Sequence, residues 1–404
     1  MEDLKAKLAA KRSRILLRYA YYEMKNGMVD LGISTPEGLR QFRSCLGWCA
    51  ASVESISDRL MFRGFENDNF ELTGIYQLNN PDILTNSASL SALIASCCFI
   101  YVSLNERQQP RLQVIYAYDA TGDYDDQTGM LKRGYAILEK DRYGRPTLEG
   151  YFEPGRTTFY RPGQPPQVIT NVAPYPLLVP VIHRSEAKRP FGHSRISRAQ
   201  MEIVQGALRT VKRSEITAEF YSFPQKYILG TDPDREDDMD PYKAAISKML
   251  EFSKDEDGDH PIVGQFTQAS MEPHVAQLRM FAGLFAGETG LTLEDLGFPS
   301  DNPSSQEAIK ASHENLRLKA RKAQRDFGTG FLNAGYLAAC LRDGQSYARD
   351  AFYETTPLWE PLFEPDAASL SGIGDGAIKI NQAVPGYFGK NNLRKLTGIE
   401  ADQS

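Results

Sequence analysis

The sequence lacks the features that mark a secreted protein or one that grips DNA along its whole surface. Its 404 residues contain only five cysteines, too few and too unevenly spaced for a disulfide framework, so we expect reduced thiols in an intracellular protein. Lys and Arg number 46 against 52 Asp and Glu, and a net charge of −6 does not favour a whole-surface phosphate clamp, although it allows a protein that encloses DNA. The length predicts about two to three folded units.

Long apolar runs are also missing. The uncharged stretch at residues 88–104 contains four serines and is too short and polar for a membrane span, which needs about 20 apolar residues. It predicts a buried helix that leads into a strand. Residues 1–18 form a charged amphipathic helix without the apolar core of an export signal. We therefore expect a soluble protein that does not bind membranes.

The sequence also lacks the motifs of common catalytic and metal-binding sites. No phosphate-binding loop of the Walker type is present, and the glycine cluster at 372–376 follows no predicted strand. The five histidines never fall at the HExxH spacing. Cys45 and Cys49 lie one helical turn apart, but no second pair completes a metal site, so we expect buried thiols. The sequence predicts no catalytic residue, no metal and no cofactor.

What the sequence does contain is a switch of hydrophobic period along the chain. Apolar residues at helical spacing predict a helix over 39–60, with Thr35 as its N-cap and Pro36 at its first position. From 61 to 182, β-rich segments separated by Gly, Asp and Pro predict strands. The last segment, 177–182, carries prolines that restrict it to a sheet edge or an extended coil. We expect an α+β domain.

The helical period returns in the second half. Two apolar helices are predicted at 196–221 and 274–289. The insertion between them predicts a compact unit with these elements: a strand at 226–229, a short helix at 242–252 and a strand at 262–266.

A loop at 292–303 then precedes the longest predicted helix. The residues at 304–307 have the capping-box spacing, and Gly344 supplies a stop. Gly328, Gly330 and Gly335 predict a bend or break within this helix. Residues 345–404, rich in Pro and Gly, show only short periodic pieces.

Two acidic loops flank the short helix of the insertion. One of them, residues 255–259, superficially resembles a calcium loop, but its glycine is misplaced and Phe266 occupies the twelfth position. The loops are either solvated or a charged docking surface for a partner. The carboxylates concerned are Asp234, Glu236, Asp237, Asp238, Asp240, Asp255, Glu256 and Asp257.

Basic residues are concentrated at the start of the longest helix. They are Lys310, Arg317, Lys319, Arg321, Lys322 and Arg325, against Glu307, Glu314 and Asp326. Such a run forms a solvated face, inter-subunit ion pairs, or a contact with DNA or a channel wall.

Four segments, in this order, resemble the portal proteins of tailed bacteriophages, and among them the SPP1-type family. Tyr21 and Tyr22 are similar to the family's early paired tyrosines, and residues 45–65 to its "C…V…RL…GF" stretch. Residues 180–196 resemble its "PVV…R-x-GRS-x-I" entry to the first stem helix. Residues 302–309 resemble the "NPaSaeAI" opening of its long helix, whereas the last 60 residues show no such likeness.

This resemblance implies a portal-like fold with a helical and β-rich wing, a two-helix stem, a small α/β clip and a long kinked helix. The implied division is wing 1–194 (helical to 60, β-rich after 61), stem helix 195–222, clip 223–270, second stem helix 271–291, tunnel loop 292–304, long wing helix 305–343 and a C-terminal region 344–404 that holds at most a reduced crown.

The resemblance also implies a non-enzymatic structural role. About twelve copies would form a ring at a unique capsid vertex, through which double-stranded DNA is packaged and ejected. Implied partners are the large terminase, the major capsid protein, the scaffold and head-tail adaptor proteins. The implied location is the virion, and the host cytoplasm during assembly.

Two sets of site residues follow from this resemblance. The clip carboxylates named above would dock the terminase and the adaptors. The tunnel loop, which has no Lys or Arg, would face the DNA with a low-grip surface formed by Thr292, Glu294, Asp295, Ser300, Asp301 and Asn302. The alternative is a metal-dependent hydrolase or nucleotidyl enzyme that uses the carboxylates of the acidic loops.

Overall fold

The computed structural model describes residues 1–29, 43–222, 226–229, 262–265, 270–299, 311–362 and 367–397. Up to residue 182 the helices precede the strands except for one short strand, which is consistent with the α+β class. The prediction of strands from residue 61 onward needs correction, because residues 72–77 and 81–95 are helical and bury apolar side chains at helical spacing. The elements up to residue 182 are α1 (Glu2–Tyr22), α2 (Trp48–Ser57), β1 (Phe62–Glu66), α3 (Leu72–Gln77), α4 (Pro81–Ala95), β2 (Cys97–Leu104), β3 (Pro110–Tyr116), β4 (Ala120–Tyr124), β5 (Leu131–Lys140), β6 (Pro146–Glu153), β7 (Arg156–Tyr160), β8 (Gln167–Thr170) and β9 (Leu178–Ile182).

Two antiparallel sheets carry most of these strands. Strands β4 to β8 form a five-stranded meander in chain order, and α1 packs on it. In the three-stranded sheet, β2 lies between β3 and β9, so the proline-bearing strand β9 occupies an edge, as predicted. Phe99 of β2 faces Ile115 on one side and Pro180 on the other. Proline is tolerated there because an edge strand needs fewer N–H donors.

A helix pair and a small ribbon follow. The helices are α5 (Arg198–Ser222) and α6 (Glu272–Thr289), and the ribbon is the antiparallel pair β10 (Lys226–Leu229) and β11 (Ile262–Gln265). Because β10 pairs with β11, the insertion leaves and returns at one place. All four elements confirm the predictions, while the predicted helix at 242–252 lies outside the described residues.

The longest helix, α7 (Glu314–Asp343), runs unbroken through Gly328, Gly330 and Gly335, so the predicted break is wrong. These glycines serve close packing instead. A Cβ atom added at Gly330 would lie only 3.1 Å from the Cα of Val181 in β9. The packing outweighs the low helix propensity of glycine. The helix ends at Gly344, with a φ of +62°, as predicted.

Two predicted helix starts also need correction. Residues 43–46 are not helical and α2 begins only at Trp48, while Thr35 and Pro36 lie outside the described residues. Cys45 is therefore not on one helix with Cys49: Cys49 is buried as predicted, but Cys45 is exposed. Residues 311–312 are helical, yet His313 interrupts the helix with a ψ of 4°, so α7 starts at Glu314. The predicted capping box at 304–307 lies outside the described residues.

The C-terminal part has more regular structure than its composition predicts. Strand β12 (Thr356–Trp359) pairs antiparallel with β1, and two helices follow, α8 (Ala367–Ala383) and α9 (Lys390–Thr397). Helix α8 passes through the glycine cluster at 372–376, whose low helix propensity predicts a loop. Within the described ranges, no helix is both long enough and apolar enough to cross a membrane.

Candidate stem, channel and docking surfaces

Helices α5 and α6 form a tightly packed antiparallel pair. Contacts run along its whole length, since Ser197 donates to Glu288 at 2.9 Å near one end and Thr217 Oγ1 lies 3.1 Å from His274 Nε2 towards the other. At 1.5 Å per residue, the 25 residues of α5 extend about 37 Å. The ribbon β10 and β11 of the insertion at 223–270 therefore follows the end of the pair that lies far from its junction with the β-rich unit.

The crossing of the two helices depends on one glycine. A Cβ atom added at Gly206 would lie 2.6 Å from the ring of Phe281, closer than real Cβ contacts. One turn further along α5, the hydroxyl of Thr210 lies 3.0 Å from Oε1 of Gln277 and also donates to the carbonyl of Gly206. Shape and polar contacts together fix the register of the pair.

The face of α6 turned away from α5 is apolar. Met280 and Leu284, one turn apart, are 52% and 54% exposed. Beside them, Cβ atoms added at Gly283 and Gly287 would meet no atom within 4 Å. A helix whose inner face already packs on a neighbour has no need for a second apolar face in a monomer. Such a face is typical of a protein–protein contact.

A buried arginine joins this pair to the rest of the fold. Arg195, 5% exposed, donates from Nε to the carbonyl of Ser52 at 3.0 Å and from Nη2 to the carbonyl of Thr289 at 2.6 Å. Lys319 of α7 donates to the same Thr289 carbonyl at 2.8 Å. Burial lowers the pKa of Arg195 to about 10, so it stays charged at neutral pH. The two cations match the negative end of the α6 dipole.

The predicted tunnel loop follows α6 directly. The N–H of Thr292 donates to Oδ2 of Asp295 at 2.8 Å, and the N–H of Asp295 donates to Oγ1 of Thr292 at 3.2 Å, which closes a turn around the short 3₁₀ helix Glu294–Leu296. Burial alone raises the pKa of Asp295, but hydrogen bonds from Thr292 and His313 outweigh it and lower that pKa. Glu294 and Asp295 are exposed, so this part of the loop presents carboxylates.

The structure describes only part of the predicted site residues. Ser300, Asp301 and Asn302 of the tunnel loop lie outside the described residues. The same holds for all eight clip carboxylates, of whose surroundings only strands β10 and β11 are described. Their roles stay predictions.

The basic run on α7 divides into two groups. Arg317 pairs with Glu314 and Lys319 caps α6, whereas Lys310 lies outside the described residues. The other three cations are exposed along a groove of about 960 Å³ that also contains Leu318 and Trp359: Arg321, Lys322 and Arg325. Arg321, Lys322 and Arg325 therefore keep the roles predicted for the basic run: a solvated face, or a contact with another chain or with DNA.

The described cysteines and histidines give little support to a catalytic or metal site. Burial raises the pKa of Cys49 to about 12 and that of Cys97 to about 11, so neither thiol is an activated nucleophile. Burial lowers the pKa of His183 to about 3, and its Nδ1–H donates to the His193 carbonyl at 2.7 Å. No three His, Cys, Asp or Glu side chains gather as metal ligands among the described residues.

Comparison with known proteins gives matches over almost the whole chain. No family model matches. The chain is 24% identical to the portal protein of Mycobacterium phage D29 over 402 residues, which cover 94% of this chain and 81% of that protein. It is also 24% identical to the portal protein of Mycobacterium phage L5 over 394 residues, with 90% and 80% covered.

Two solved structures show a weaker likeness. A chain in the virion of a native gene transfer agent particle gives a TM-score of 0.47 at 14% identity, and one in the neck of that particle, computed with C12 symmetry, gives 0.44 at 14% identity. Each match covers 96% of this chain and 100% of the other.

The class of protein follows from the two portal relatives. They support a structural portal role in a tailed phage, and they give no support to the alternative of a metal-dependent hydrolase. The finer assignment to the SPP1-type family is not decided by these relatives. Sequence reasoning missed two features of the site, the Arg195 contact and the exposed face of α6. Arg195 stands between Ser194 and Ile196, a pattern that gives no signal of the first.

Proposed function

We propose that this chain is the subunit of a portal ring at a unique vertex of the capsid, and that DNA enters and leaves through the ring's axis. About twelve copies form the ring, with residues 195–222 and 271–291 as its stem. The SPP1-type motifs and the full-length similarity to two phage portal proteins support the assignment. The observation that carries it is the exposed apolar face of α6, because a ring requires each stem to contact the next.

Ring closure needs a heterologous contact, in which one surface of a subunit meets a different surface of its neighbour. Met280 and Leu284 supply the apolar anchor, while Gly283 and Gly287 let a neighbouring helix approach closely. Burial of these side chains in the ring removes the apolar surface that the isolated chain leaves in water.

The proposed DNA channel and docking site follow from the position of two segments next to the helix pair. The loop at 292–304 leaves the end of α6, and its exposed Glu294 and Asp295 repel phosphate rather than bind it. DNA then slides past without a strong grip. The insertion at 223–270 is the clip, whose carboxylates dock the terminase and later the adaptors. ATP hydrolysis belongs to the terminase, in keeping with a chain that has no phosphate-binding loop.

The experiment compares two purified variants by negative-stain electron microscopy. Met280→Asp combined with Leu284→Asp places two charges on the α6 face and should abolish rings. Ile83→Asp is the control, because Ile83 is 74% exposed on α4, away from the stem. We expect rings with a central hole for the wild type and for Ile83→Asp.

Two results would contradict this proposal. One is a wild-type chain that gives only monomers or dimers at micromolar concentration and is also monomeric when released from virions. The other is a stem variant that forms normal rings, which would remove the α6 face from the contact.

A further inference from the structure

A groove lined by cations lies between α1 and the loop before α5. Its volume is about 490 Å³. Four cations of α1 line it at spacings of three and four residues, and a fifth comes from the loop: Lys7, Lys11, Arg14, Arg18 and Arg189. We call this set the α1 groove. Like charges three or four residues apart on one helix repel each other and destabilise the helix. Because α1 carries four such cations on one face, we expect an anion from outside the chain to neutralise them.

Two carboxylates, Asp123 and Asp126, line the groove beside its five cations, so the described lining keeps an excess of positive charge. Lys7 pairs with Asp123 at 3.0 Å, but Asp123 is shared with Arg133. No carboxylate in the described ranges forms an ion pair with Arg14, Arg18 or Arg189, and the buried Nε of Arg18 has no hydrogen-bond acceptor there.

Burial adds to this imbalance. Lys11 lies 4.5 Å above the ring of Phe191 and near Oγ1 of Thr121. Burial, together with the neighbouring cations, lowers the pKa of both Lys11 and Arg18. A bound carboxylate would relieve both effects.

An acidic surface lies elsewhere on the same chain. The segments before α3 and before β12 pack together, since Phe70 stacks on Phe352 at 3.9 Å and Asn67 donates to the carbonyl of Glu354. Their outer side exposes three carboxylates and one aromatic ring, which is 76% exposed: Glu71, Asp350, Glu354 and Tyr353. We call this set the acidic patch.

The two surfaces cannot meet within one chain. The loop that carries Arg189 is tied to α7 at Asp326, which accepts a hydrogen bond from the N–H of Arg184 at 2.9 Å. Asp326 lies in the middle of α7, whereas the acidic patch lies at its C-terminal end, where Arg342 is 4.0 Å from Glu71. Sixteen residues separate the two levels, about 24 Å at 1.5 Å per residue.

We propose that the α1 groove of one subunit receives the acidic patch of the next subunit in the ring. This inference rests on the proposed function, because it needs a heterologous contact between copies. Guanidinium groups bind carboxylates with two parallel hydrogen bonds, and Arg14 and Arg189 at the rim are exposed for that purpose. Tyr353 is the aromatic anchor of the contact.

The floor of the groove suits side chains rather than stacked bases. Phe191 lies there with its ring 5.9 Å from that of Phe99 and 5.8 Å from that of Tyr124, and Lys11 lies over the same ring. Carboxylate side chains fit a groove of this kind, and the test below separates them from a phosphate backbone.

The test reverses charges on each surface separately and then on both. Arg14→Glu with Arg189→Glu changes only exposed groove residues, and Glu71→Arg with Glu354→Arg changes only the patch. Each pair should raise the concentration needed for half-maximal ring assembly by about tenfold or more, measured by sedimentation or mass photometry. The chain with all four substitutions should assemble within about threefold of wild type, because every contact again joins opposite charges.

The matched control is Arg107→Glu with Arg142→Glu, two exposed loop arginines outside both surfaces, which should assemble like wild type. If the wild type forms rings and either reversed pair assembles normally, this inference is wrong while the proposed function stands. Failure of the four-substitution chain to recover would show that the groove binds something other than the patch. A wild type that forms no rings contradicts the proposed function itself.

Discussion

Arg195 donates a hydrogen bond at 2.6 Å to the carbonyl of Thr289, the last residue of α6. The same guanidinium donates to the carbonyl of Ser52 in α2, 143 residues away in the chain. Helix α6 is thereby fixed to the core at the point where the predicted tunnel loop begins. Lys319 donates to the same Thr289 carbonyl, so two cations hold the start of that loop against the core.

Removal of this guanidinium should loosen the junction. Arg195→Met removes two charge-assisted hydrogen bonds, to the carbonyls of Ser52 and Thr289, and should lower the free energy of unfolding by about 2–4 kcal/mol, measured by urea unfolding. Lys319→Met removes a more exposed donor from a carbonyl that keeps Arg195, so we expect a loss of about 1 kcal/mol or less. Equal losses in the two variants would contradict the role given to Arg195.

Two glycines of the stem should respond in opposite directions to alanine. Gly206→Ala forces a Cβ atom against Phe281 and should destabilise the chain by about 1–3 kcal/mol. Gly283→Ala meets open space and should stabilise the isolated chain by about 0.5–1 kcal/mol, since alanine favours a helix. The same change should weaken ring assembly, because it fills space meant for a neighbouring helix. Assembly unaffected by Gly283→Ala would argue against close packing there.

Stability should fall in mild acid because of His183. The unfolded histidine binds a proton near its ordinary pKa of about 6.5. Burial holds the folded pKa at about 3, so between these values the unfolded state binds more protons and acid destabilises the fold. The contribution amounts to about 1.4 kcal/mol per pH unit. His183→Asn keeps an N–H donor but does not titrate, so urea unfolding at pH 7 and pH 5 should show a smaller decline. Parallel declines in both proteins would refute this.

The clip carboxylates can be tested without knowledge of their placement. Charge reversal of Asp234, Glu236 and Asp238 should impair DNA packaging while rings still form, because docking is lost and the stem is untouched. Packaging is measured as the DNA protected in filled heads, and rings are checked by electron microscopy. Normal packaging by these variants would mean that the acidic loops are solvated and do not dock the motor.

Local patterns predicted much of the fold. Hydrophobic period and turn residues alone predicted the change from a helix to a strand between α4 and β2, the strands β10 and β11, and the helices α5 and α6. Three features did not follow, since contacts far along the chain decide them. Gly330 stays in the helix because β9 packs so closely against α7 that no side chain fits there. Cys45 is exposed because α2 begins only at Trp48, and helix α8 continues through its glycines.

The candidate site was predicted less completely. Motifs in the sequence indicated where the stem begins, but no spacing indicates that Arg195 reaches Ser52 and Thr289. The exposure of the apolar face of α6 was not predicted either, because a sequence does not show whether an apolar residue is covered by its own chain. The tunnel and clip roles of the remaining residues rest on the family resemblance.

The central claim is that many copies of this chain surround DNA, and the mass of the assembled particle tests it most directly. Native mass spectrometry or mass photometry of rings taken from virions should give about twelve times the 45.2 kDa of one chain. A mass of 45.2 kDa under every condition, including release from intact virions, would contradict it.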